Sequence, residues 1–197
     1  MSISKTQIFN ITLNILGIST PLENINSNDN KTILLNNYYD LARDYVLKDY
    51  DWNFASSFRQ LSLAYSQDCN YKFSYVYDYP NDCICARDVF DGSTKKSDKF
   101  SIGANSNNEK VILTNIQNPI LRYTRKVDKE VYFSCEFSMA LSFYLASLTS
   151  NVICGSVQKG EMAYEKYLKI LSHAKMLNAQ EGVDVIYDEN TYLESRG

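Results

Sequence analysis

Apolar residues along this chain change their spacing twice, from helical to extended and back to helical. Ile8, Ile11, Ile15 and Ile18 recur at three- and four-residue intervals, and Ser4 followed by Gln7 has the form of a capping box. Gly17 offers a stop, so the pattern predicts a first helix over residues 3–16. A loop rich in Asn and Ser, containing Pro21, follows. Asp29 or Asn30 then caps a second helix over residues 30–48, with Leu34, Tyr38, Leu41 and Tyr45 along one face.

In the centre the period shortens to two. Lys72 to Tyr77 is aromatic and near-alternating, Pro80, Asn81 and Asp82 make a turn, and Cys83 to Phe90 begins another extended run. Asp91, Gly92 and Ser93 open a polar stretch. Two short apolar runs, at residues 100–102 and 111–113, flank a segment of hairpin-tip composition. Residues 91–115 therefore read as a projecting hairpin. Leu121, Arg122, Tyr123, Thr124 and Arg125 alternate as the last strand of a small antiparallel sheet. The β-rich insertion spans about 70–128.

From Ser134 the helical period returns. Phe137, Leu141, Tyr144, Leu145 and Leu148 lie on a nearly wholly apolar segment with many small residues, among them Ala140, Ser142, Ala146 and Ser147, which predicts a central helix over residues 134–153. Gly155 and Ser156 break and recap the chain. Ala163, Tyr164, Tyr167, Leu168, Leu171 and Ala174 stripe a last helix over residues 156–181, with Glu165 four residues before Lys169. Residues 183–197 have few core formers yet carry Val183, Val185, Ile186, Tyr187 and Tyr192, the mark of an extended C-terminal arm that folds on a partner. The architecture expected is α+β: a four-helix bundle with an inserted small antiparallel β-sheet and hairpin subdomain. Residues 1–182 form one domain, and the arm follows.

Composition narrows the function. At 197 residues and 45% hydrophobic, the chain is long enough for one core that buries roughly 70% of its unfolded surface. A net charge of -3 gives no basic field to drive nucleic-acid binding by counterion release. No apolar run reaches the roughly 18 residues of a membrane span, and the first residues lack a basic segment leading into an apolar one. A soluble, unexported protein without membrane contact is expected. Five scattered cysteines, Cys69, Cys83, Cys85, Cys135 and Cys154, do not form a disulfide framework. Sixteen Tyr and nine Phe against one Trp exceed what a monomer of this size usually hides, which reads as rings in subunit interfaces, with rings half-buried on a sheet as the alternative.

Candidate chemistry is sparse. His173 is the single histidine and sits on the polar face of the last helix, so no Cys–His or Ser–His arrangement is expected. Cys83 and Cys85 share one side of a strand, but a closed zinc site needs four ligands and no second pair is spaced to help. No Gly-rich phosphate loop occurs. Among the carboxylates Asp40, Asp44, Asp49 and Asp51, the first two share a helical face. They read as a solvated acidic face, with a cell-wall hydrolase as the alternative. Arg122, Arg125, Lys126 and Lys129 form the densest basic group. It reads as a charge-protected sheet edge, with a phosphate-contacting patch as the alternative. No catalytic residue, metal or cofactor is expected.

Residues 43–64 read RDYVLKDYDWNFASSFRQLSLA, and shortly afterwards comes YVYDYPNDCICARDVF. These elements resemble the tail tubular protein A family, the head-to-tail adaptors of short-tailed bacteriophages. In that family an Arg leads into W-x-F-A, then R-x-x-L, then Y-x-x-P-x-D-C. Arg43, Trp52, Phe54, Ala55, Arg59, Tyr77, Pro80, Asp82 and Cys83 hold those places, with Leu61 and Leu63 on either side of Ser62 where R-x-x-L has its Leu. The segment from Asn14 through Gly17 to Pro21 resembles the family's N-L-G-x-x-P element, and Leu121, Arg122 and Tyr123 its last strand. The Asn- and Tyr-rich composition is similar to that of ring proteins of crAss-like gut phages.

The resemblance implies a virion structural protein in the neck, assembled in the host cytoplasm. It would form a twelve-subunit ring between the portal protein and the tail nozzle or hub, through which duplex DNA passes without specific binding. Arg43, Trp52, Phe54, Arg59, Tyr77, Pro80 and Asp82 are expected to set the fold. Val183, Val185, Ile186, Tyr187 and Tyr192 are expected to meet the portal. Residues 91–110, through Asp91, Gly92, Phe100, Gly103 and Asn105, are expected to meet a neighbouring subunit or the tail.

Overall fold

The computed structural model describes residues 3–64, 72–94 and 96–181, the last four of these as helix backbone only. Among the described residues there are four α-helices: α1 (Lys5–Ile15), α2 (Asn30–Asp49), α3 (Cys135–Cys154) and α4 (Val157–Glu181). Their ends follow local chemistry. Ser4 Oγ accepts from the Gln7 backbone N–H at 3.3 Å, while Gln7 Oε1 accepts from the Ser4 N–H at 2.8 Å. Gly17, at φ +81°, turns the chain out of α1, and Gly155, at φ +64°, does the same after α3. Ser134 caps α3 and Ser156 caps α4, accepting from the N–H groups of Phe137 and Lys159 at 3.2 and 3.3 Å.

Among the described residues seven strands lie between α2 and α3: β1 (Ser56–Gln60), β2 (Tyr75–Asp78), β3 (Cys83–Asp91), β4 (Ser97–Asp98), β5 (Phe100–Ala104), β6 (Lys110–Thr114) and β7 (Pro119–Arg125). They form two antiparallel sheets, one ordered β1-β7-β3-β4 and the other β2-β6-β5. The two sheets cover each other with apolar faces, and on its other face the second sheet carries a smaller buried cluster of Ala64, Val76, Val111 and Leu113. Leu61, Tyr77, Val89, Ile112, Ile116, Leu121 and Tyr123 make the core between the two sheets.

The expected four-helix bundle with one small inserted sheet is therefore corrected to four helices and two antiparallel sheets. The helices do not form a square of equal neighbours: α3 packs on each of α1, α2 and α4. The reason lies in α3 itself, whose buried Ser138, Ala140, Ser142 and Ala146 let helices approach it from several sides. By length and composition α3 would span a bilayer, contrary to the reading of the apolar runs; three helices pack on it and bury about half of that apolar stretch, leaving Leu148 and Val152 exposed. Strand structure also begins earlier than expected, at Ser56, because β1 is held by its pairing with β7 and not by an apolar alternation of its own.

The buried faces of the first two helices are rotated from those the spacing suggests. In α1 the fully buried positions are Ile8, Phe9, Thr12 and Leu13. In α2 they include Leu35, Tyr39, Ala42 and Val46, whereas Leu41 is 65% and Tyr45 43% exposed. Two apolar stripes compete on α2, and small Ala42 and Val46 favour the closer packing of their own stripe.

Arg87 of β3 joins the helical layer to the first sheet. Its Nη2 donates to the carbonyls of Lys48 and Tyr50 at 3.0 and 2.9 Å, and its Nε to Thr124 Oγ1 at 2.9 Å. A cation thus satisfies the orphan carbonyls where α2 ends and its dipole is negative.

Candidate interaction surface

The sequence elements that carry the family resemblance serve the fold. Arg43 is 3% exposed and is held by Asp40, Asp44 and Asp128 at 2.9, 2.9 and 3.1 Å. Trp52 donates from Nε1 to the Val46 carbonyl at 2.8 Å and meets Phe137 edge-on. Phe54 packs between Phe133 and Phe137, so these rings fill the junction of helices and sheets. Arg59, Asp82 and Tyr123 converge from three segments. The guanidinium lies 3.4 Å from Asp82 Oδ1 and over the Tyr123 ring, while Tyr123 donates its hydroxyl to Asp82 at 3.1 Å. Tyr77 donates to the Ile116 carbonyl at 3.0 Å, and the Pro80 carbonyl accepts from the Cys83 N–H at 2.9 Å to close the turn.

The residues weighed for chemistry are dispersed or already engaged. His173 is exposed on α4. Asp40 and Asp44 are both engaged by the same guanidinium, that of Arg43. Burial pushes the Cys83 thiol above its ordinary pKa, away from nucleophilic thiolate. Among the described residues no group of three or more His, Cys, Asp or Glu is placed to hold a metal ion. In the basic group, Arg122 is clamped by Asp51 and Asp88, and Lys126 lies 3.9 Å from Asp128. Acidic neighbours thus neutralise much of the charge that would contact phosphate.

Residues 91–115 read in the sequence either as an internally paired hairpin or as an arm loose until bound; in the structure they pair internally, β5 with β6. Asp91 Oδ1 accepts from the N–H groups of Ser93 and Thr94 at 2.7 and 3.0 Å, and a Cβ on Gly92 would lie 3.2 Å from the Asn118 carbonyl oxygen. Asn105, 8% exposed, organises the hairpin tip between β5 and β6. Its Oδ1 accepts from the N–H groups of Asn107 and Glu109, and its Nδ2 donates to Glu109 Oε2. Phe100 packs against the core between the sheets, and Gly103 leaves 3.2 Å for a Cβ against Leu113. The arm residues Val183, Val185, Ile186, Tyr187 and Tyr192 lie outside the described residues.

What the sequence reading missed is an outward apolar surface across α2, α3 and α4. Tyr45 stacks flat on Tyr144, with ring centroids 4.5 Å apart and planes 3° from parallel. Tyr144 and Tyr164 each meet Tyr167, whose hydroxyl donates to Asp49 Oδ2 at 2.6 Å. Burial, reinforced by this carboxylate, drives the Tyr167 phenol well above its ordinary pKa. Burial, followed by the neighbouring Tyr45, pushes Tyr144 up to about 12. Around this cluster Leu41, Leu148, Val152, Tyr164 and Leu168 remain exposed, Val152 at 71%. Beside it, Ser147, Ser150, Asn151, Gly160, Glu161 and Tyr164 line a cleft of about 570 Å³ where α3 and α4 approach closely. The available signal was a second apolar stripe on each helix, visible in the spacing of Leu41 with Tyr45 and of Leu148 with Val152.

No protein-family model matches this chain, and comparison with curated proteins gives no match.

Proposed function

We propose that this chain is a non-catalytic structural protein of a short-tailed phage virion. It would form a ring between the portal and the tail nozzle, enclosing the path of the genome. The observation that carries the reading is the outward apolar and aromatic surface formed by Leu41, Tyr45, Leu148, Val152, Tyr164 and Leu168. Large apolar and aromatic side chains left exposed together are a feature of protein–protein contact, and tyrosines supply area at small entropic cost. The neutralisation of Arg122 by Asp51 and Asp88 suits a conduit that does not grip DNA. Residues 183–197, expected to meet the portal, carry no part of this reading.

The test is the oligomeric mass of the purified chain, alone and with its portal, beside a variant carrying Leu148→Glu and Val152→Glu. Two carboxylates forced into an apolar contact cost at least several kcal/mol, so an assembly formed by the wild type should be lost by the variant while circular dichroism stays unchanged. A wild-type chain that remains monomeric both alone and with the portal would refute the reading.

A further inference from the structure

The second sheet has one open edge among the described residues. On the β2 side, Leu63 bridges to Tyr77, and backbone bonds from Ala64 N–H to the Val76 carbonyl and from Asp78 N–H to the Ser62 carbonyl cover the strand. On the other side, β5 pairs with β6 alone, in an unbroken five-residue register from Phe100↔Thr114 to Ala104↔Lys110. Edge strands are normally guarded by Lys, Pro, a bulge or shortness. In the other sheet β4 is two residues long and β1 carries Arg59. The β5 sequence, Phe-Ser-Ile-Gly-Ala, has no charge, no proline and no bulge.

The core also stops short at this edge. Ile102 stands opposite Ile112, on the face turned toward the first sheet; Ile112 is fully buried, whereas Ile102 keeps 45% of its surface exposed. One more strand with apolar residues at alternate positions would both satisfy the outward backbone groups and cover Ile102.

We infer that the β5 edge receives residues 183–187 of a neighbouring copy of this chain as an added strand. In extended form Val183, Val185 and Tyr187 fall on one face, as a cover for Ile102 requires. Charge favours the same occupant. Residues 182–197 contain Asp184, Asp188, Glu189 and Glu194 against Arg196 alone, while Lys96, Lys99 and Lys110 flank β5 against Asp98 and Glu109, a net charge of +1. A β5-to-β5 pairing of two copies lacks this complementarity. The segment of 16 residues reaches on the order of 50 Å when extended, far enough to cross to the next subunit. A donor segment and a different acceptor edge on each subunit give the head-to-tail contact that a closed ring needs. This assignment rests on the self-assembly reading above, and it gives to the neighbour the segment first expected to meet the portal.

The experiment uses the full chain with Ile102 replaced by the photo-crosslinker p-benzoylphenylalanine, mixed with an isotopically heavy wild-type chain and irradiated. Oligomeric mass is measured on the same sample. Crosslinks from position 102 to heavy peptides containing residues 183–187 are expected, and they should fall at least tenfold when the heavy chain carries Val185→Pro and Tyr187→Pro. An assembled sample whose crosslinks go elsewhere, or only within one chain, overturns the strand addition and leaves self-assembly standing. A sample that stays monomeric both alone and with the portal added overturns both.

Discussion

Replacing Arg87 of β3 by Ala removes a side chain that ties the end of α2 to β3 and β7. Its guanidinium donates to the Lys48 and Tyr50 carbonyls and to Thr124 Oγ1, at 2.9 to 3.0 Å. Net hydrogen bonds to a charged group contribute about 1.5–3 kcal/mol, and a partly buried cation at a helix C-terminus about 0.3–2 kcal/mol. The two overlap, since the same carbonyls create both, so the expected loss is about 2–3 kcal/mol. Urea unfolding followed by circular dichroism should show a lower midpoint with an unchanged slope. Lys at this position keeps the charge but not the fork, so Arg87→Lys should recover less than half of the loss. Hydrogen exchange should localise the change to the last turn of α2 and the β3–β7 pair. A loss under about 0.5 kcal/mol for Arg87→Ala would refute the assignment of Arg87 as the joint between layers.

The hairpin tip and the tyrosine cluster give further expectations. Asn105→Ala should destabilise the chain by about 1–2 kcal/mol and speed amide exchange at Asn107 and Glu109, whose N–H groups it receives. Exchange unchanged at both amides would contradict its role. For the phenols, the folded state binds the proton more tightly than the unfolded chain, so their contribution is fully present below about pH 10 and is lost as pH rises toward about 12, the value for Tyr144. Stability measured across that window should fall less steeply in Tyr144→Phe than in the wild type, and an identical slope would count against the cluster.

Local signals in the sequence were legible because their partners are close. Ser4 and Gln7, Gly17, Gly155 and Ser156 mark helix ends through contacts within a few residues. The face of α2 was not, because Leu34, Tyr38, Leu41 and Tyr45 make as good a stripe as Leu35, Tyr39, Ala42 and Val46, and only packing on α3 chooses between them. β1 escaped notice since Ser56–Gln60 has little apolar alternation and its partner β7 lies some sixty residues away. The same distance hides the side-chain partnerships: Arg59 with Asp82, Arg122 with Asp51 and Asp88, and Arg87 with the end of α2 join segments that only the fold brings together. Two sheets in place of one follow from register. β2 pairs with β6 and not with β3, which no pattern of single strands reveals.

Self-assembly through the outward tyrosine and leucine surface is most directly tested by electron microscopy of the purified chain mixed with its portal. Closed rings of this chain seated on one face of the portal are the expected images. Portal particles left bare beside monomers of this chain, across the micromolar range, would contradict it.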